Sequence, residues 1–100
     1  MKYNKLVRDK IIEVIEAKGE KAVFHVADDT EYHEKLREKL REEIEEFLSD
    51  ENVGEIADIL EVLEAFAEYK GFSQDEIALE KSKKAEKRGA FKKRIILDES

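Results

Sequence analysis

The stretch LREEIEEFLSDENVGEIADIL (residues 40–60) decides the fold, because it reads as two amphipathic helices joined by one short polar turn. The turn, residues 49–54, is made of residue types that favour turns and helix caps. In an antiparallel helical hairpin, residues equidistant from the turn lie at about the same height, and residues three apart share a helical face. The sequence therefore predicts that two acidic motifs, EExxE and ExxD, place four carboxylates near one end of the hairpin: Glu43, Glu46, Glu55 and Asp58.

These acidic residues fall where a helix usually carries apolar side chains. On a helical wheel Glu43 lies about 20° from Leu36, on the apolar face of the first helix. Glu55 lies among apolar residues of the second helix, and Glu46 and Asp58 lie at the edges of the two apolar faces. An unpaired carboxylate in such a place costs roughly several kcal/mol or becomes protonated. A crowded set of oxygen ligands therefore predicts a hard cation, Mg²⁺ or Mn²⁺.

Three other interpretations of these polar residues remain open. Asn52-x-x-Glu55 fits a capping box, in which the Glu55 carboxylate would bind the backbone amide of Asn52. His25 and His33 lack partners at metal-ligand spacing, which favours a structural or surface role. A solvated helix face is the simplest interpretation of the acidic residues that point outward: Glu42, Glu45, Glu51 and Glu61.

Length and composition set the class of protein. One hundred residues, 41% hydrophobic and 45% charged, predict one small domain. The chain has no Cys, which excludes disulfides and thiolate-bound zinc. No apolar run approaches the roughly 18–20 residues of a membrane span, and no signal peptide is visible. We therefore expect a cytoplasmic protein without a membrane partner, and its abundant Glu and Lys are typical of a thermophile.

Charge is distributed unevenly along the chain. The formal net charge is −7, yet residues 81–94 contain eight Lys and Arg residues and a single acidic residue, Glu86. A basic segment on an acidic protein predicts a specific anionic ligand. The acidic remainder would repel a long polyanion, which disfavours general nucleic-acid binding. An RNA-binding arm remains the alternative for this segment.

Capping and periodicity predict a mainly α-helical fold with four helices. They extend over about residues 9–18, 31–48 and 53–70, and from the capping box Ser73–Glu76 to Arg88. Segments 22–26 and 92–97 are rich in β-branched or aromatic residues and are candidates for one small two-stranded β element. The apolar faces of the two long helices are too wide for one chain to cover. We therefore expect the hairpin to form a four-helix bundle in a homodimer.

Several segments resemble one enzyme family. KLREEIEEF (39–47) followed by EIADILEVLEAF (55–66) resembles the EExxE…ExxD signature of the MazG-like all-α nucleotide pyrophosphohydrolases, which include phosphoribosyl-ATP pyrophosphohydrolase. The ends, YNKLVRDKI (3–11) and KRGAFKKRIIL (87–97), resemble a subgroup labelled phosphoribosyl-ATP pyrophosphohydrolase-like. Residues 1–100 are therefore expected to form a single MazG-like domain, with a shorter spacing between Glu46 and Glu55 than in many members.

The resemblance implies Mg²⁺-dependent cleavage between the α and β phosphates of a nucleoside triphosphate or of phosphoribosyl-ATP, in a homodimer or a dimer of dimers. It implies catalytic roles for Glu42 and Glu43, with Glu42 activating water or supporting the metal ligands. The implied metal ligands are Glu43, Glu46, Glu55 and Asp58. The implied phosphate contacts are Lys5, Arg8, Lys10, Lys84 and Arg88. A non-catalytic helical dimer that binds a nucleotide or a protein partner remains the alternative.

Overall fold

The computed structural model describes residues 3–100, and this part of the chain contains four α-helices and no β-strand. The helices are α1 (Ile11–Ala17), α2 (Asp29–Ser49), α3 (Val53–Lys70) and α4 (Gln74–Arg88). The prediction of a mainly helical fold is confirmed, and α3 begins and ends where the sequence predicted. None of the described helices combines the length and apolar character needed to cross a membrane.

Capping residues explain where the two long helices begin and end. The Asp28 side chain accepts a hydrogen bond from the Glu31 amide at 2.9 Å and caps α2. At the start of α3 the Asn52 side chain accepts from the Glu55 amide at 3.0 Å. Gly71 ends α3 in the left-handed region, with φ of 79°, where a glycine carries no steric penalty. Because α2 ends at Ser49 and the Asn52 cap starts α3 at Val53, the connection between them is short. The two helices pack as a hairpin.

The hairpin is held together chiefly at the end away from its turn. Leu36 of α2 is fully buried and Ala67 of α3 is 6% exposed. His33 stacks on Tyr69 with ring centroids 5.4 Å apart and meets the edge of Phe66 at 5.7 Å. His33 thus contributes to helix packing, and His25 pairs with Glu31 at 2.8 Å.

The predicted two-stranded β element is wrong, because neither 22–26 nor 92–97 has strand structure. The Arg94 amide instead donates to the Phe91 carbonyl at 3.2 Å, and Arg94 has a φ of 58°, so a turn interrupts the second segment. Val23 and Val26 are about nine-tenths exposed, so the first segment has no packing surface. A β-propensity is realised only through such packing, and an isolated two-stranded ribbon is marginal in water.

Apolar side chains remain exposed along much of the hairpin. Leu36 and Ala67 are the buried apolar residues of the described chain. Helix α4 contains no buried residue and does not pack along the hairpin, and the molecule measures 57 × 31 × 23 Å. Contiguous exposed apolar surface of this kind usually marks an interaction site.

Candidate metal centre

Three carboxylates meet at the turn end of the hairpin. Glu43 comes from α2, and Glu55 and Asp58 come from the first two turns of α3. Each offers one oxygen, and the three oxygens lie within 4.8 Å of one another. We call these three residues the carboxylate cluster. The structure thus brings together three of the four predicted ligands, as the hairpin geometry predicted, while their role as metal ligands remains a prediction.

Two oxygens of the carboxylate cluster are buried without a partner. Glu43 is only 5% exposed. Its Oε1 lies 3.2 Å from Lys39 Nζ, but its Oε2 has no hydrogen-bond partner among the described residues. Glu55 Oε2 is in the same situation. A buried acceptor without a partner lowers the stability of the fold by roughly 1–3 kcal/mol, and by more when it is charged. A bound cation or a proton donor at these two atoms would remove that loss.

The capping-box interpretation of Glu55 applies only in part. Its backbone amide binds the Asn52 side chain, as a cap requires. The Asn52 amide, however, donates to the Asp50 carbonyl at 2.7 Å and not to the Glu55 carboxylate. At the start of α4, by contrast, Ser73 and Glu76 form both bonds of the box. The cap therefore fixes the backbone of Glu55 and leaves its carboxylate free to face α2.

The dimensions of the carboxylate cluster fit a hard divalent cation. Mg²⁺ binds oxygen at about 2.0–2.1 Å, so two oxygens on one ion are at most about 4.2 Å apart. The three oxygens of the cluster lie within 4.8 Å of one another, so side-chain rotation would bring them closer together when all three bind one ion. Oxygen-only donors with two unpartnered buried atoms are the ligand set that such an ion prefers.

Three cations surround the carboxylate cluster. Lys5 Nζ lies 3.0 Å from Glu42 Oε1, and Lys39 Nζ lies 3.6 Å from Glu42 Oε2. Arg8 donates from Nη2 to Asp58 Oδ1 at 2.8 Å. Two of the predicted phosphate contacts, Lys5 and Arg8, thus lie next to the predicted metal ligands.

The surrounding charges shift two carboxyl groups in opposite directions. Partial burial acts to raise the pKa of Glu42, but the hydrogen bond from Lys5 and the charges of Lys39 and Lys5 outweigh it, so the pKa of Glu42 is lowered. Repulsion by Glu43, followed by loss of hydration, raises the pKa of Glu46. Glu42 therefore stays ionised between its two lysines, whereas the negative charge of neighbouring carboxylates opposes the ionisation of Glu46.

Four predicted site residues do not belong to the carboxylate cluster. Glu46 is exposed and is not one of its three members, although its side chain lies beside that of Glu43, which raises its pKa. Lys10 occupies the N-cap position of α1 without a side-chain capping bond and forms no ion pair within residues 3–100. Lys84 and Arg88 lie on α4, which begins at the end of α3 opposite the carboxylate cluster and does not fold back along the hairpin. In this arrangement α4 does not contact the carboxylate cluster.

The structure adds two residues to the site: Lys39, to which the sequence analysis gave no role, and Glu61, which it assigned to a solvated helix face. Lys39 contacts both Glu42 and Glu43. Glu61 Oε1 accepts a hydrogen bond from Arg8 Nη1 at 3.5 Å. The spacing of Lys39 and Glu43, four residues apart on one helix, was a usable signal for the first contact. No comparable signal exists for Glu61, because its partner is 53 residues away in sequence.

Comparison with protein-family models, curated proteins and solved structures finds no match for this chain. Inferences about its function therefore rest on the geometry of the site and on the motifs quoted above.

Proposed function

We propose that this protein is a Mg²⁺-dependent nucleotide pyrophosphohydrolase of the MazG-like type. It would cleave the α–β phosphoanhydride of a nucleoside triphosphate or of phosphoribosyl-ATP with water, releasing a monophosphate and pyrophosphate. The main support is Glu43, which is buried and whose Oε2 has no hydrogen-bond partner among the described residues. One oxygen of its carboxylate lies within 4.8 Å of an oxygen of Glu55 and of an oxygen of Asp58. These residues come from the same two motifs that resemble the family signature.

In this proposal Glu43, Glu55 and Asp58 hold the metal, and Glu46, one turn along α2 from Glu43, rotates inward as a fourth ligand. When bound, Mg²⁺ supplies charge neutralisation for the phosphate oxygens and acidifies a water molecule. The carboxylate of Glu43 would orient a water molecule toward the α phosphorus and accept its proton. The bond to the β-phosphate oxygen breaks as the water oxygen adds, and pyrophosphate leaves with the electron pair.

The contacts of Glu42 favour a positioning role over a role as the base. Both of its oxygens face lysines, Lys5 on one side and Lys39 on the other, and its lowered pKa makes it a poor proton acceptor. Lys39 in turn contacts Glu43. Glu42 therefore holds Lys39, the cation that contacts Glu43.

A polyphosphate substrate needs positive charge at this site. Residues 42–61 contain nine acidic side chains and no Lys or Arg, so this charge would come from the metal, from the N-terminal residues Lys5 and Arg8, and from Lys39, which lies 3.2 Å from Glu43. Arginine binds phosphate through its planar fork of N–H donors, and lysine acts as a point charge. Lys10, Lys84 and Arg88 belong to the proposal as further contacts, with α4 reaching the site from a second chain.

The proposal includes a cytoplasmic homodimer, alone or as a dimer of dimers, in which two hairpins form a four-helix bundle. Support comes from apolar residues that the hairpin leaves exposed by 40–66%: Ile44, Leu48, Ile56, Leu60 and Leu63. On α3 they recur at spacings of four and three, which is one helical stripe. A second hairpin would cover that stripe.

A pyrophosphate-release assay tests the enzymatic activity. Wild type with Mg²⁺ is incubated with a panel of nucleoside triphosphates and with phosphoribosyl-ATP. We expect turnover of at least one of them and a loss of at least about 100-fold in Glu43→Gln, because the amide cannot replace the carboxylate as ligand or base. Glu45→Gln, an exposed neighbour on the same helix, is the matched control and should retain activity.

Two outcomes would contradict the proposal. One is a folded wild-type protein that releases no pyrophosphate from any substrate, and the other is full activity in Glu43→Gln. If the magnesium complex of a non-hydrolysable triphosphate binds tightly while the wild-type protein releases no product, the non-catalytic dimer becomes the better description.

A further inference from the structure

We infer that Arg8 is a displaceable counter-cation, which neutralises Asp58 in the metal-free protein and moves to a phosphate of the ligand when the metal binds. This inference rests on the proposed function and adds a coupling between the metal and the anion. Its basis is the set of contacts that the N-terminal segment, residues 3–10, makes with both helices of the hairpin.

The N-terminal segment crosses the hairpin at the carboxylate cluster. Lys5 binds Glu42 on α2 at 3.0 Å, and Arg8 binds Asp58 on α3 at 2.8 Å. The two cations are three residues apart in a stretch without helical structure. One short segment is thus attached to both helices, to α2 beside Glu43 and to α3 at Asp58 itself.

Arg8 lies on the open side of the carboxylate cluster. The Glu43 side chain is 7% exposed, whereas the side chains of Asp58 and Arg8 are 39% and 55% exposed. An ion or phosphate arriving from solvent therefore meets Asp58 and Arg8 before it reaches Glu43. Exposed ion pairs contribute little to stability, so the contact between Arg8 and Asp58 can be exchanged at small cost.

Arg8 and a divalent cation compete for the same negative charge. A metal bound by Asp58 would lie close to the guanidinium, and the two positive charges repel. The second partner of Arg8, Glu61 at 3.5 Å, keeps the guanidinium nearby once it leaves Asp58. A phosphate on the metal then offers oxygens that suit the guanidinium fork.

A different arrangement makes the opposite prediction for metal binding. Carboxylate ligands of metals are often held by an outer hydrogen bond that improves their affinity for the metal. If Arg8 stayed on Asp58 in this manner, its removal would weaken metal binding. If Arg8 is displaced, its removal strengthens metal binding and weakens only the phosphate contact.

Calorimetry on Arg8→Gln separates these arrangements. The first titration uses Mn²⁺ alone, and the second uses the magnesium complex of a non-hydrolysable nucleoside triphosphate at fixed free Mg²⁺, with each common base tried on wild type and the tightest one kept. We expect Mn²⁺ to bind about two- to fivefold more tightly to Arg8→Gln. We expect the triphosphate complex to bind about 10- to 100-fold more weakly.

Two further variants serve as controls. Arg8→Lys keeps the charge without the fork, so its affinity for Mn²⁺ should match wild type while the triphosphate still binds more weakly. Arg41→Gln makes the same charge change at an exposed site on α2 that forms no ion pair within the described chain, and both affinities should be unchanged. Circular dichroism melts of all variants show whether the hairpin remains folded.

The inference is overturned if Arg8→Gln binds both Mn²⁺ and the triphosphate complex more weakly than wild type, which would mean that Arg8 stays on Asp58 in the bound state. It is also overturned if neither affinity changes. In both cases wild type still binds metal and triphosphate, and the proposed function stands. Absence of Mn²⁺ binding by wild type would overturn the proposed metal site and this inference together.

Discussion

A buried carboxylate with one unpartnered oxygen, such as Glu43, lowers the stability of the folded chain. A Leu at this position would fit the apolar face of α2, so the acid indicates a role other than stability. Its placement on that face was predictable from the helical wheel, because the angle depends only on residue spacing. The spacing of Lys39 and Glu43 also signalled their contact, but the exposure of Glu46 was not predictable, because it depends on which rotamers the packed hairpin allows.

At the same scale, Glu46→Gln should raise the melting temperature of the metal-free protein at pH 7. Glu46 has a raised pKa in the folded state because Glu43 repels it, so above that pKa its ionised form destabilises the fold. The advantage of Gln should shrink as the pH falls through the raised pKa of Glu46. It should vanish below the ordinary value of 4.5, where folded and unfolded chains both carry the neutral acid.

Thermal melts between pH 3.5 and 7 measure this difference. Glu45→Gln, on the outward face of α2, is the control and should follow wild type at every pH. Equal melting temperatures for Glu46→Gln and wild type at pH 7 would show that the repulsion is absent.

At the scale of elements, local capping signals predicted the helices well, and propensity predicted the strands badly. Asn52 and Gly71 mark the ends of α3, since each acts through backbone atoms within a few residues. Segments 22–26 and 92–97 carry strand-like residues, but a strand needs a partner and a packing face that sequence spacing does not reveal. The same reason explains why the pairing of Arg8 with Asp58 could not be read from the sequence.

The cap of α3 links stability to the proposed site, and Asn52→Ala tests this link. Loss of the acceptor for the Glu55 amide should cost about 1 kcal/mol, which lowers the melting temperature of a chain of this size by about 4–8 °C. It should also weaken Mn²⁺ binding, because the cap holds the backbone of Glu55. Asn52→Ser retains a side-chain acceptor and should keep both the melting temperature and the Mn²⁺ affinity close to those of wild type. Unchanged Mn²⁺ affinity in Asn52→Ala would show that the cap does not contribute to metal binding.

At the scale of the whole molecule, the described part of the chain buries two apolar residues, Leu36 and Ala67, and leaves many large apolar side chains exposed. Leu60 lies on α3 one turn from Ile56 and is 59% exposed, and both belong to an apolar face that the sequence analysis expected a second chain to cover. The width of the apolar faces was predictable, because it follows from composition and period. The orientation of α4 was not, because Ile77 and Leu79 specify no particular surface on which to pack.

Leu60→Lys should therefore convert a dimer into monomers and lower the melting temperature, because a charge would be buried in the proposed interface. Sedimentation equilibrium on wild type, Leu60→Lys and the exposed control Glu64→Lys measures the change. Wild type should also melt at a higher temperature as its concentration rises. A wild-type protein that is monomeric at micromolar concentration, with a melting temperature independent of concentration, would exclude the bundle.

The most direct measurement of the central claim is the anomalous diffraction of a crystal grown with Mn²⁺, which reports the position of the ion independently of catalysis. We predict one strong peak between α2 and α3, in contact with carboxylate oxygens of Glu43, Glu55 and Asp58, with the Arg8 guanidinium moved away from Asp58. A crystal saturated with Mn²⁺ in which these three carboxylates carry no anomalous peak would contradict the assignment of a metal centre to this hairpin.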